Sequence, residues 1–494
     1  MTRLFAIALF VSCLSNWLLA AEPVRSPRRL LPAPELQADA QIPTLRKVVG
    51  HEWGEDITSY AEMERYLKTL VTAAADRAVL VPYGKTYEGR TLYYLVIAKP
   101  EHLQRREEIR AANLQLADPR SLPPEKAREL AAQLPALVWL AYGIHGNETS
   151  GPEAALLTAY HLLADRRPQT RKLLDDALVL IDPLQNPDGH ERFVNVYRET
   201  RGVYPDAQPL ATEHTERWPS GRFNHYLFDM NRDWFLQSQR ESQAKVAAYL
   251  QWQPQVYVDA HEMGHNATYF FSPKAEPVNP FYLPQQIESL DQLGQQLARR
   301  FDELGFVYTT REMFDGFYPG YGSTWPTLQG GMGILWEQAG VRGLVIARDD
   351  QQQLRFHDAV CHHYVSALAT VEFAASHARR LVEAFYEARR RSIQLGREGP
   401  VRHYFLMAGK APQRAASLAE LLRRNGVEVR RMTESVKANC SDIRTAEKGP
   451  HAIPAGSFHI PLAQPAGRLA RTLLERALAL DEAEGAILAH SLPL

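Results

Sequence analysis

The chain has 494 residues, 45% hydrophobic and 23% charged, too long for one average domain and ordinary in composition for a folded protein. Its 56 basic residues offset 57 acidic ones to a net charge of −1, so no nucleic acid and no anionic membrane surface is expected as a partner. Only three cysteines are present, which excludes a disulfide scaffold and a cysteine-rich metal site; any metal must be held by histidine and carboxylate.

Arg3 precedes the apolar run Leu4–Val11, which Leu14 and Trp17–Ala21 continue. The run is shorter than the roughly 20 residues a membrane-spanning helix needs. With Ala20-Ala21 as a small-residue cleavage site, residues 1–21 read as a secretory signal peptide, and an uncleaved anchor is the alternative. The expected location is secreted or periplasmic, with no membrane span once that segment is removed. Cys13 falls within it behind a poor lipobox; Cys361 and Cys440 fall in different expected domains and are expected to be unpaired. Residues 22–49 read as a flexible leader, rich in Pro, Arg and Ala and without periodicity from Glu22 to Pro43.

From about residue 50, helical and strand patterns alternate. Helical spacing covers Tyr60–Ala74, and strand-like Ala78–Tyr83 and Thr91–Ala98 flank a turn with glycines near each end. Leu134–Tyr142, Ala177–Leu184, Gln255–Ala260 and Met332–Trp336 are short apolar runs of the buried-strand type. Helical patterns Pro124–Leu134, Gly151–Ala164, Ser238–Gln251 and Pro284–Leu304 separate them, and a long helical stretch, Arg355 to Leu395, closes the region. This order predicts an α/β domain over residues 50–375, with a mixed, largely parallel central sheet flanked by helices. A helical linker (376–399) and a small C-terminal α/β segment (400–494) follow, the latter without recognisable chemistry.

His145, Asn186, His261 and Glu337 all fall just past a predicted strand end, where sheets of this kind bind ligands. Two strings there look metal-binding: His145-Gly146-Asn147-Glu148 and His261-Glu262-Met263-Gly264-His265. The second matches His-Glu-x-x-His, which puts both histidines on one helix face and therefore needs a helix through all five residues. The β-branched and aromatic Val256-Tyr257-Val258 upstream and Gly264 within argue against that helix. Alternatively, His145 and Glu148 on one turn join His261 from another strand end, giving a His₂Glu set with a fourth position open for water. A lone His-x-x-Glu is by itself more often a helix-surface pair; the strand-end context favours the metal.

The motifs His145-Gly146-Asn147-Glu148, Asn186-Pro187-Asp188-Gly189 and Asp229-Met230-Asn231-Arg232-Asp233-Trp234 come in that order, after Tyr87-Glu88-Gly89-Arg90. Together with His261 they resemble the zinc carboxypeptidase A-like metallopeptidases over roughly residues 50–375. The resemblance implies one Zn²⁺ per chain on His145, Glu148 and His261, and Glu337 as the general base that takes a proton from water. It implies Arg198 as the oxyanion-stabilising cation, with Arg201 the competitor in register. It implies Asn231 and Arg232 as the clamp for a substrate's C-terminal carboxylate, and Asp229 as the acid that orients a zinc histidine. Tyr318 would be the substrate-capping tyrosine on a mobile loop, with Tyr321 the alternative, and Trp325 would line the side-chain pocket. No acidic residue stands out there to select a basic C-terminal residue.

A metallocarboxypeptidase acting on peptide or protein C-termini is therefore the first expectation. A zinc amidohydrolase acting on N-acyl amino acids or cell-wall peptides is the runner-up, and a non-catalytic peptide-binding protein on the same fold the minor one.

Overall fold

The computed structural model describes Ala33 and residues 35–475, save 408, 410 and 444; the expected signal peptide lies outside the described residues. Seven strands build the main sheet: β1 (Ala78–Lys85), β2 (Thr91–Ile97), β3 (Ala136–Tyr142), β4 (Ala177–Asp182), β5 (Val256–Met263), β6 (Tyr269–Phe271) and β7 (Met332–Ala339). Their order is β1-β2-β4-β3-β5-β7-β6. The four central strands pair in parallel, while β1, β2 and β6 add antiparallel edges. A mixed sheet flanked by helices was expected, and this is one.

The central strands are apolar without interruption because both faces are covered. On β3, Val138, Leu140 and Tyr142 face one core, while Leu137, Trp139 and Ala141 face the other. The first core is closed by helices Tyr60–Ala73, Ser150–Ala164, Pro284–Leu304 and Phe356–Ser376. The second is aromatic, holding Trp139, Trp234, Tyr249, Trp252, Tyr257 and Trp325.

One expectation changes. The leader is not loose from residue 35 on: Ile42 and Leu45 are buried in the first core, because that core needs an apolar lid beside helix Tyr60–Ala73. The linker, expected to be helical, is the 21-residue helix Ala378–Glu398, with one apolar face buried against the domain. Its Arg389 is buried and donates to the carbonyls of Ala117 and Gln329. Beyond it, His403–Leu406, Phe458–Pro461 and Arg430–Arg431 form a small sheet with helix Pro412–Arg424, and Asn425 accepts a hydrogen bond from Trp325 Nε1 at 2.8 Å. Trp325 is thus fully buried in the aromatic core rather than lining a pocket. Cys361 and Cys440 are free.

Candidate active site

The carboxyl ends of β3, β5 and β7 meet at one edge of the sheet. After β3, Gly143 takes a positive φ of 62° and the chain turns into helix Ser150–Ala164, with His145 and Glu148 on the turn. Gly146 is needed for closeness rather than for an unusual φ: a Cβ there would overlap the backbone of Gly189 and His190. That contact joins the His-Gly-Asn-Glu turn to the Asn-Pro-Asp-Gly turn. In the latter, the Asn186 side chain caps helix Pro187–Thr200 by accepting from Gly189 N at 3.0 Å. Asp188 in turn accepts from Thr86 Oγ1 at 2.8 Å and Arg90 Nη1 at 2.7 Å. The motifs recognised in the sequence are therefore in mutual contact.

His145, Glu148 and His261 are all buried, and their ligand atoms lie within 4.8 Å of one another. His145 Nδ1 is 2.7 Å from Glu148 Oε1 and 3.1 Å from His261 Nδ1, and His261 Nδ1 is 3.1 Å from Glu148 Oε2. Behind them, His145 Nε2 donates to Asp229 Oδ1 at 3.1 Å, which leaves the Nδ1 lone pair aimed into the cluster. Asp259 Oδ1 lies 2.9 Å from His261 Nε2. Converging lone pairs and a carboxylate in a buried spot are satisfied by a cation, and two imidazoles with one carboxylate suit zinc. Burial alone would raise the Glu148 carboxyl, but His145 and His261 outweigh it and hold Glu148 well below the carboxylate range. Asp229 is depressed in the same sense: burial opposes, while His145 and the Arg222 and Arg232 charges prevail.

Glu337 is in register with His261 across the parallel pair β5 and β7, so both side chains leave the sheet at the same level. Burial pushes its carboxyl up to about 8; His261 and Arg222 oppose this, while Glu148 and Asp259 add to it. A carboxyl with a raised affinity for protons, set beside a candidate metal site, suits proton transfer.

The expected arginine is not at the site. Arg198 lies in the last turn of helix Pro187–Thr200 and pairs with Glu62 at 2.7 Å, and Arg201 pairs with Asp56 at 2.7 Å. These ion pairs with Glu62 and Asp56 hold both guanidinium groups. Arg222 lies beside the cluster instead: Nη2 donates to Asp229 Oδ2 at 2.8 Å, and Nη1 lies 3.3 Å from His145 Nδ1 and 3.7 Å from Glu148 Oε1. It comes from an irregular segment without periodicity, so no pattern announced it. Asp259 was also missed, although it stands two residues before His261 on the same strand face, a legible signal.

Asn231 and Arg232 part company. The Asn231 amide is 6% exposed and engaged at both ends: Nδ2 donates to Asp259 Oδ2 at 3.1 Å, and Oδ1 accepts from Gly322 N at 2.9 Å and Trp234 Nε1 at 3.2 Å. It ties His261's neighbourhood to the glycine-rich loop. Arg232 is half-buried and forms no ion pair with a carboxylate among the described residues. Its guanidinium lies 4.8 Å from the Tyr321 ring centroid, and Tyr318 Oη donates to Arg232 O at 3.4 Å. Both tyrosine candidates therefore border Arg232.

Glu262 and His265 are outside the cluster. Glu262 accepts hydrogen bonds from Ser150 N, at 2.8 Å, and Ser150 Oγ, so it anchors the start of helix Ser150–Ala164. Strand β5 continues to Met263, which removes the helix that His-Glu-x-x-His needs. A second acidic group with histidine, Glu88, Asp188 and His225, already holds Arg90 between its carboxylates.

The zinc carboxypeptidase family model matches residues 63–332. Mouse carboxypeptidase M is 24% identical over 295 residues, 56% of this chain and 56% of that protein. Mouse carboxypeptidase Z is 25% identical over 178 residues, 35% of this chain and 21% of that protein. The chain thus spans between about a fifth and just over half the length of these curated relatives. Among solved structures, the metallo-carboxypeptidase of Burkholderia cenocepacia is similar with a TM-score of 0.43 and 15% identity, over 63% of this chain and 69% of that one. Carboxypeptidase A of Helicoverpa armigera has a TM-score of 0.41 and 18% identity, over 66% and 74%.

Proposed function

The chain belongs to the zinc carboxypeptidase family, and we propose that it is an exported enzyme releasing C-terminal residues from peptides or proteins. The observation that carries this reading is the buried His145–Glu148–His261 cluster with Glu337 in register beside it.

Zinc held by His145, Glu148 and His261 would supply Lewis acidity and bring a water pKa from 15.7 down to about 7. Glu337 accepts the proton from the attacking water and later delivers it to the leaving amine. Arg222, already fixed by Asp229, presents a preorganised cation to the oxygen on which negative charge develops. Arg232, which pairs with no carboxylate among the described residues, receives the substrate's α-carboxylate in a bidentate contact. Tyr318 and Tyr321 close over that contact. Asp229 fixes the tautomer of His145, and Asp259 with Asn231 orients His261.

Export is supported by the signal-like residues 1–21, and among the described residues no helix is long and apolar enough to cross a membrane. The test is to measure metal content of the purified chain and of His261→Ala, then to follow peptide digestion by mass spectrometry. Loss of single residues from the C-terminus, together with one zinc per chain that His261→Ala loses, supports the proposal. Cleavage of N-acyl amino acids alone, or of internal bonds alone, would contradict it.

A further inference from the structure

Lys274 is a half-buried cation that no carboxylate reaches within ion-pair distance among the described residues. It follows cis-Pro273 in the segment leading away from β6, which is held to β7 by Ser272: Ser272 N donates to Leu335 O at 3.2 Å and Leu335 N to Ser272 Oγ at 3.0 Å. Leu335 is two residues before Glu337. From there the Lys274 side chain runs beside Gly316, where a Cβ would come within 3.4 Å of Lys274 Cδ, and ends with Nζ 3.3 Å from Thr324 Oγ1. Thr324 is two residues beyond Gly322, whose N–H is bonded to Asn231. Two residues span at most about 7 Å. Lys274 thus lies between the strand of Glu337, the loop of Tyr318 and the turn that Asn231 holds.

A hydroxyl is its one hydrogen-bond partner, and no carboxylate is within ion-pair reach among the described residues. Asp315 and Asp259 act on it from farther off; burial outweighs both and pushes the ammonium down to about 8. Asp315 already accepts from Phe317 N at 2.8 Å, and Asp259 serves Asn231 and His261. An ammonium sheltered from much of the solvent gains from a counter-ion, since desolvating an unpaired charge is costly. A lysine serving only the fold would gain from a partner that this site does not supply.

We propose that Lys274 receives the side-chain carboxylate of the substrate's last residue, so that the enzyme prefers C-terminal glutamate or aspartate. This rests on the carboxypeptidase reading above: Arg232 takes the α-carboxylate, and Lys274 takes a second carboxylate deeper under the Tyr318 loop. An anionic residue there forms an ion pair, with both hydrogen-bonding partners charged, that its amide counterpart lacks.

The experiment compares kcat/KM of the zinc-loaded full chain on matched peptides ending in Glu, Gln, Leu or Lys, for the native chain and Lys274→Met. The native chain is expected to prefer Glu over Gln by at least about tenfold, and Lys274→Met to lose roughly 100-fold on the Glu peptide while changing little on Leu. In parallel, calorimetry on the native chain compares binding of free L-glutamate and L-glutamine, which needs neither turnover nor a variant. Tighter glutamate binding without release from any peptide would support the pocket and refute the carboxypeptidase reading. Equal handling of Glu and Gln, a preference for Lys, or a Glu preference that survives Lys274→Met in a folded variant would overturn the proposal.

Discussion

Arg222 and Arg198 differ by what each guanidinium faces. Arg222 is held by Asp229 beside the histidine cluster, whereas Arg198 is tied to Glu62 near the surface. Arg222→Ala should lower kcat by about 10²–10³, the usual cost of losing one donor to a developing oxyanion. Arg198→Ala should leave kcat within a few-fold, because a partly exposed ion pair contributes little. Steady-state kinetics on the two variants checks this, and the reverse order would return the role to Arg198. The grouping of His145, Glu148 and His261 beside Glu337 was legible because the motif turn and two strands meet at one edge of the sheet, where alternation fixes the direction of His261 and Glu337. Arg222 was not, since an irregular loop has no period from which to read direction. Asn231 was legible as a site residue but not in its bonding: only the fold shows Gly322 and Trp234 occupying its amide oxygen.

The elements were read well where burial imposes a period. Helix Pro284–Leu304 was expected at the bounds it has, and the break in the long closing helix falls at His377. The helix Pro187–Thr200 was passed over, although Asn186 and Pro187 are start signals, because much of its length is polar. The hairpin of Val436–Ser441 with Lys448–Ile453 was missed for a related reason: it is mostly exposed and lacks an apolar face. At this scale the joint between the two motif turns is the sensitive point. Gly146→Ala would force a methyl into the backbone of Gly189 and His190, and should destabilise the protein by about 3 kcal/mol, the upper end for overpacking. Urea unfolding of the variant checks this; an unchanged midpoint would mean the turns can separate at no cost.

Across the whole molecule, several carboxyls are buried away from the cation-rich site. Glu153, on helix Ser150–Ala164, accepts from Thr58 Oγ1 at 2.7 Å, and burial pushes its carboxyl from 4.5 up to about 8. Folding therefore favours its protonated form. That stabilisation is complete below pH 4.5 and is lost as pH rises through about 8. Glu153→Gln keeps the hydrogen-bonding shape without the ionisation, so it should flatten the fall in stability between pH 5 and pH 8. Thermal melts of both proteins across that range decide it, and parallel pH profiles would locate the sensitivity elsewhere. The domain-scale reading was coarser than the residue reading. A sequence marks where patterns stop, but not that Arg389 and Asn425 bond back onto the segment Trp325–Gln329.

The central claim is that His145, Glu148 and His261 hold zinc while Glu337 moves the proton. Its most direct test is C-terminal residue release by the native chain and by Glu337→Gln, at matched and measured zinc content. The account predicts equal zinc in both, and a rate lower by about 10²–10⁴ in the variant, the range for loss of a general base. Release that continues undiminished in zinc-loaded Glu337→Gln would contradict it.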